Sequence, residues 1–191
     1  MKKLIAMMLA LALVLSLTAC GGNTAAPTTE ATTEATTEAT QAAVTTLDAS
    51  CEELLNKIVE IQPVEFMGGT MPVDLTDTSE DGLWAIDYFT GLSDASQITE
   101  ACVFEPMMGS IAFSMVMVRA AEGVDKQALA ETMKQGINTR KWVCVGADDL
   151  LVTGYADMVM LIMVDTNTGL TAQPFVDAFA SVVGAELDFV I

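Results

Sequence analysis

The chain contains no histidine, so any chemistry it carries falls to cysteines, carboxylates, methionine sulfur and one short basic run. Without an imidazole, Ser-His-Asp and Cys-His catalysis and HExxH zinc sites are excluded. The four cysteines are Cys20, Cys51, Cys102 and Cys144. With Cys20 assigned elsewhere, as argued below, three remain, so at most one disulfide forms among them, and Cys102 and Cys144 are the candidate pair. Each of the three also sits in an apolar pattern, which fits small core residues better.

Ten methionines follow residue 20, among them Met107, Met108, Met115, Met117, Met158, Met160 and Met163. Thioethers suit a soft cation such as Cu(I). All of these but Met107 and Met108 fall in strand patterns, where methionine fills space, so no metal site is assigned. Acidic groups cluster at residues 74–81 and at Asp148 and Asp149, and Asp165 opens a loop that only partly matches a calcium-binding one. That loop lacks the late bidentate Glu such a site needs, and the reading is solvated turns and a helix entry. Glu100, Glu105 and Asp87 are nominal acids for glycoside hydrolysis, but nothing in their spacing singles them out. Arg140, Lys141 and Trp142 form the one basic and aromatic spot, a candidate contact for an anionic ligand or partner. The competing reading is a cationic helix end with Trp142 entering the core.

Eight Lys and Arg stand against 26 Asp and Glu. Lys2 and Lys3 precede residue 20 and every carboxylate follows it, leaving six cations against 26 carboxylates. Such a charge repels nucleic acid and anionic headgroups, so no nucleic-acid partner is expected.

At the N-terminus, Lys2 and Lys3 precede an apolar run over residues 4–17. A spanning helix needs roughly 20 residues, so this run reads as the core of a cleavable signal. Its end, Leu17-Thr18-Ala19-Cys20 followed by Gly21-Gly22, resembles the lipobox of bacterial lipoproteins. The resemblance implies cleavage before Cys20 and a covalent diacylglycerol on its thiol, with no other cofactor. Two acyl chains anchor stably where one is marginal. The implied location is the cell membrane, on its extracytoplasmic face.

Residues 21–46 are rich in Thr, Ala and Glu, with Thr-Thr-Glu-Ala at residues 28–31, 32–35 and 36–39. A repeat this short has no large apolar residue to bury, so it reads as a disordered tether. As a flexible coil it spans about 28 Å, and extended it reaches about 85 Å. The expected organisation is a signal peptide over 1–19, lipidated Cys20 plus tether over 20–46, and one globular domain over 47–191. About 145 residues are too few for a two-lobed solute-binding protein.

Within the domain, Ser50 and Glu53 have capping-box spacing, and Cys51, Leu54, Leu55 and Ile58 share one helical face, predicting a helix to residue 61. Residues 64–81 read as loop with a short strand near 71–75, and residues 83–89 fit helix or strand. Strands are expected at 99–105 and 110–120, joined by a hairpin loop at 106–109. The second carries apolar residues on both faces and so should be central. Asp125 caps a helix to about residue 140, with Leu129, Met133 and Ile137 on its buried stripe. Gly136 in that stripe points to close packing on a neighbour. Three more strands are expected at 142–145, 150–153 and 158–164, then a helix over 171–183 stopped by Gly184. This order favours an α+β two-layer sandwich: an antiparallel or mixed sheet of about five strands with helices on one face.

Residues 101–165, above all Thr139-Arg140-Lys141-Trp142-Val143-Cys144-Val145-Gly146-Ala147-Asp148-Asp149-Leu150, resemble extracytoplasmic lipoproteins of Gram-positive gut anaerobes that carry a conserved domain of unknown function. That resemblance implies a fold and no activity. The functional expectation is a membrane-anchored, non-enzymatic domain that binds an envelope protein or a small ligand. The alternative is a small envelope enzyme using carboxylates or a thiol, possibly acting on wall glycans.

Overall fold

A computed structural model describes residues 46–191. The expectations for the signal peptide, Cys20 and nearly all of the tether lie outside the described residues. In chain order the elements are α1 (Cys51–Ile61), β1 (Gly68–Pro72), α2 (Glu80–Thr90), β2 (Ile98–Pro106), β3 (Phe113–Ala120), α3 (Lys126–Gly136), β4 (Asp149–Tyr155), β5 (Met158–Val164), α4 (Gln173–Val183) and β6 (Phe189–Val190). The six strands form one sheet in the order β1-β2-β3-β5-β4-β6, with every pairing antiparallel. The class is α+β, with one strand more than expected.

Strand alternation sorts the core into two layers. Cys102, Phe104, Met115, Met117, Met158, Met160 and Ile162 point to one face and pack against α1 and α4 through Leu54, Leu55, Ile58, Phe175 and Phe179. Ala101, Val103, Val116, Val118, Val159, Leu161 and Met163 point to the other and meet Ile86 of α2 with Leu129 and Met133 of α3. The helices therefore cover both faces, not one as the element order suggested. The cause is local to β3 and β5: every residue of β5, and all of β3 except Arg119, is buried. Burying each such side chain is worth about 1.5–3 kcal/mol, so neither face is left to water.

Local chemistry sets the helix ends. Ser50 Oγ accepts from Glu53 N–H at 3.2 Å and Glu53 Oε2 accepts from Ser50 N–H at 3.0 Å, the expected capping box. The ambiguous segment 83–89 lies within α2, capped by Ser79 and stopped by Gly91 at φ 74°. β1 begins three residues before the expected strand near 71–75. Asp125 caps α3, which ends at Gly136 rather than near residue 140. Residues 142–145, expected as a strand, form none: 142–144 are bends, with Cys144 at φ 65°. β6, which carries no sequence signal of its own, closes the far edge against β4.

Gly136 meets the close packing its position implied. A Cβ there would lie 2.0 Å from the carbonyl oxygen of Gly91, and a Cβ on Gly91 would lie 2.6 Å from Met133 O. The ends of α2 and α3 thus touch backbone to backbone. Helix propensity alone would make Gly136→Ala stabilising by about 1 kcal/mol. The contact predicts the opposite sign, a loss of about 1–3 kcal/mol from overpacking, read as a lower midpoint in urea denaturation.

Candidate functional site

Beyond α3 the chain makes a loop closed at its base by a hydrogen bond from Ala147 N–H to Thr139 O at 2.8 Å. Lys141 descends from this loop into the α2/α3 side of the sheet, with its side chain fully buried. Its ammonium lies 2.7 Å from Glu105 Oε1 and donates to Tyr88 O and Ser114 Oγ, each at 3.2 Å. The rings of Tyr88, Phe89 and Trp142 surround it, with centroids at 4.5, 5.2 and 5.4 Å. Glu105 Oε1 has no aligned hydrogen bond, so the Lys141–Glu105 contact is a charge approach and not a well-directed bond. Burial lowers the Lys141 pKa, and Glu105 opposes that shift. The Tyr88 phenol is raised by burial and then by the charge of Glu105.

Of the three expected contact residues, only Arg140 is exposed. Trp142 is half-buried against the core, and Lys141 turns inward. In this conformation the basic spot is a plug and not a surface patch. Ser114 and Lys141 stand at the distance of a serine–lysine pair, but Ser114 is fully buried too, so a substrate carbonyl has no approach to its hydroxyl.

Glu100 and Glu105 do not share a site. Five residues apart on β2, they project to opposite faces. Glu100 instead joins a second, partly buried cation. Arg119 donates to Glu100 Oε2 at 3.1 Å, to Asp157, and to the carbonyls of Leu47 at 3.0 Å and Ala49 at 2.7 Å. Asp157 Oδ1 accepts from Leu47 N–H at 2.9 Å, and Glu100 Oε1 from Cys51 N–H at 2.8 Å. This network straps the first residues of the domain across the ends of β2, β3 and β5, and sequence reading missed it because its partners lie up to 110 residues apart.

All three cysteines are free. Cys51 and Cys102 are buried, as expected of core residues, whereas Cys144 is exposed on the loop, so the Cys102–Cys144 pair does not form. Burial, reinforced by Glu100, pushes the Cys51 thiol far up and Cys102 up to about 11. Neither is a ready thiolate. Asp165 caps the short turn Thr166–Thr168, and Asp148 accepts from Thr166 N–H and Oγ at 2.7 Å each, so these carboxylates hold their own turns. A half-open recess of about 500 Å³ beside Phe66, Ile111 and Leu170 holds one carboxylate, Glu65.

What the α2 side does present is apolar. Gly68↔Pro106 pairing and a hydrogen bond from Met107 N–H to Met67 O at 2.9 Å place Met67 opposite Met107. Alternation then puts Met67, Gly69 and Met71 on the face of Glu105 and Met107, where a Cβ on Gly69 would touch nothing within 4 Å. On α2, Trp84 stacks on Tyr88 at 4.7 Å. Met67 is 76% exposed, Met107 75% and Trp84 59%, with Met71, Leu83, Met108 and Val143 also exposed.

Removing one partner of a buried pair strands the other, so Lys141→Met is expected to cost about 3–5 kcal/mol at neutral pH, and pairing it with Glu105→Gln to recover part of that loss. Because burial lowers the Lys141 pKa from 10.5, the folded protein releases this proton before the unfolded chain does. The wild-type advantage over Lys141→Met should therefore grow as pH rises from the depressed value toward 10.5, measured by urea denaturation across the alkaline range.

Comparison with known proteins finds no matching family model, no matching curated protein and no matching solved structure.

Proposed function

We propose that this chain is an extracytoplasmic lipoprotein, acylated at Cys20 and held at the cell membrane, whose domain is a non-enzymatic module binding a partner or ligand at the envelope. The signal-like N-terminus with its lipobox supports the address, and the likeness of residues 101–165 to envelope lipoproteins agrees with it. The observation that carries the binding role is that exposed Met67, Met71 and Met107 share the β1–β2 face of Glu105, which Lys141 and Tyr88 link to exposed Trp84 on α2. The same domain buries Met115, Met117, Met133, Met158, Met160 and Met163 completely. Large apolar side chains left exposed on one side of a domain that buries its other methionines support an interaction site.

In the native host, Cys20→Ala should abolish labelling by a lipid precursor and recovery with membranes. A photo-crosslinking residue at position 84 should give discrete adducts, and one at position 57, exposed on α1 across the sheet, should not. Unchanged membrane recovery would refute the address, and equal adducts from both positions would refute the binding corner.

A further inference from the structure

We infer that the α2–β1 corner is a docking surface for a cationic, amphipathic polypeptide segment of a partner protein. The inference rests on the binding role proposed above and adds the chemistry of the partner. Its apolar part is the exposed Met67, Met71 and Met107 edge, linked to exposed Trp84 through Glu105, Lys141 and Tyr88. Methionine adapts to varied apolar shapes and recurs on surfaces that accept amphipathic helices, and tryptophan supplies the rigid anchor.

Charge selects the occupant. Asp74, Asp77, Glu80, Asp81 and Asp87 are all exposed on α2 and the turn leading into it, and none forms an ion pair among the described residues. Hydrogen bonds from Thr76 and Ser79 hold Asp74 and Asp77 below the usual carboxylate range, so both stay ionised. Of the six cations of residues 46–191, Arg119 and Lys141 are held by carboxylates, Lys126 pairs with Asp188 at 2.7 Å and Lys57 lies on α1 across the sheet, so exposed Lys134 and Arg140 only partly offset the five carboxylates. A second copy of the chain would bring the same negative rim, and an anionic bilayer would be repelled. A Lys- or Arg-flanked apolar segment satisfies both halves of the surface.

The test uses the mature chain with Cys20→Ser, which needs no detergent, and a model helix of leucine and lysine at amphipathic spacing. Controls are the same helix with glutamate for lysine and a scrambled lysine peptide. Binding is read from tryptophan fluorescence and calorimetry. The lysine helix should bind and weaken as salt is raised, and the glutamate helix should not bind. Trp84→Ala should weaken the lysine helix at least about tenfold. The combined Glu80→Gln, Asp81→Asn and Asp87→Asn variant should weaken it several-fold and flatten the salt dependence, with near-ultraviolet circular dichroism confirming its fold. Equal binding of both helices, affinity unchanged by Trp84→Ala, or a salt-independent constant would overturn the inference. So would Trp84-dependent dimerisation in sedimentation, or Trp84-dependent binding to anionic vesicles. Position-84 adducts in the host without lysine-helix binding would remove the cationic assignment alone, whereas loss of both would remove the binding role as well.

Discussion

Seven consecutive buried residues in β5, beside a β3 buried everywhere but at Arg119, set the terms for the rest of the molecule. A sheet apolar on both faces needs two coverings, and four helices of eleven residues supply them in pairs. On one side α1 and α4 close over the phenylalanines and methionines of the sheet. On the other, α2 and α3 meet at Gly91 and Gly136, and the corner over Glu105 and Ser114 is filled by the loop that carries Lys141. The lysine suits that place because its stem is apolar while its ammonium meets a carboxylate, a carbonyl, a hydroxyl and three ring faces.

Two cations held by carboxylates, fully buried Lys141 and partly buried Arg119, stand near opposite ends of β3 and on opposite faces of the sheet. Arg119 ties Leu47 and Ala49 at the start of the domain to Glu100 of β2 and to Asp157 in the β4–β5 turn, so these first residues are held by a charged network. Lys141 ties the loop to α2, and with it the stacked pair Tyr88 and Trp84. An exposed tryptophan on a helix held this way is pre-oriented, which lowers the ordering cost of any contact it makes.

Much of this order is local and was legible in the residues. The Ser50–Glu53 cap, Asp125, Pro174, Gly184, the buried run of β5 and the meaning of Gly136 all follow from neighbours a few positions away. Apolar residues on both faces of β3 marked it as central, yet the element order pointed to helices on one face, because the seating of α2 and α3 depends on contacts far apart in the chain. Other features depend on distant partners. Trp142 and Val143 have strand-forming side chains, yet Lys141 beside them is drawn to Glu105, 36 positions earlier, and the segment bends to follow it. The corner itself was invisible for the same reason: Met67 meets Met107 only through β1–β2 pairing, and Trp84 is linked to their face only through Tyr88, Lys141 and Glu105.

The central claim is that one residue type is divided between a sealed two-sided core and an open corner, and peroxide oxidation followed methionine by methionine in the folded protein tests it directly. Met67, Met71, Met107 and Met108 should convert to sulfoxide quickly, while Met115, Met117, Met133, Met158, Met160 and Met163 convert only when the protein unfolds. Rapid oxidation of Met158, Met160 or Met163, or protection of Met67 and Met107 in the isolated protein, would contradict the account.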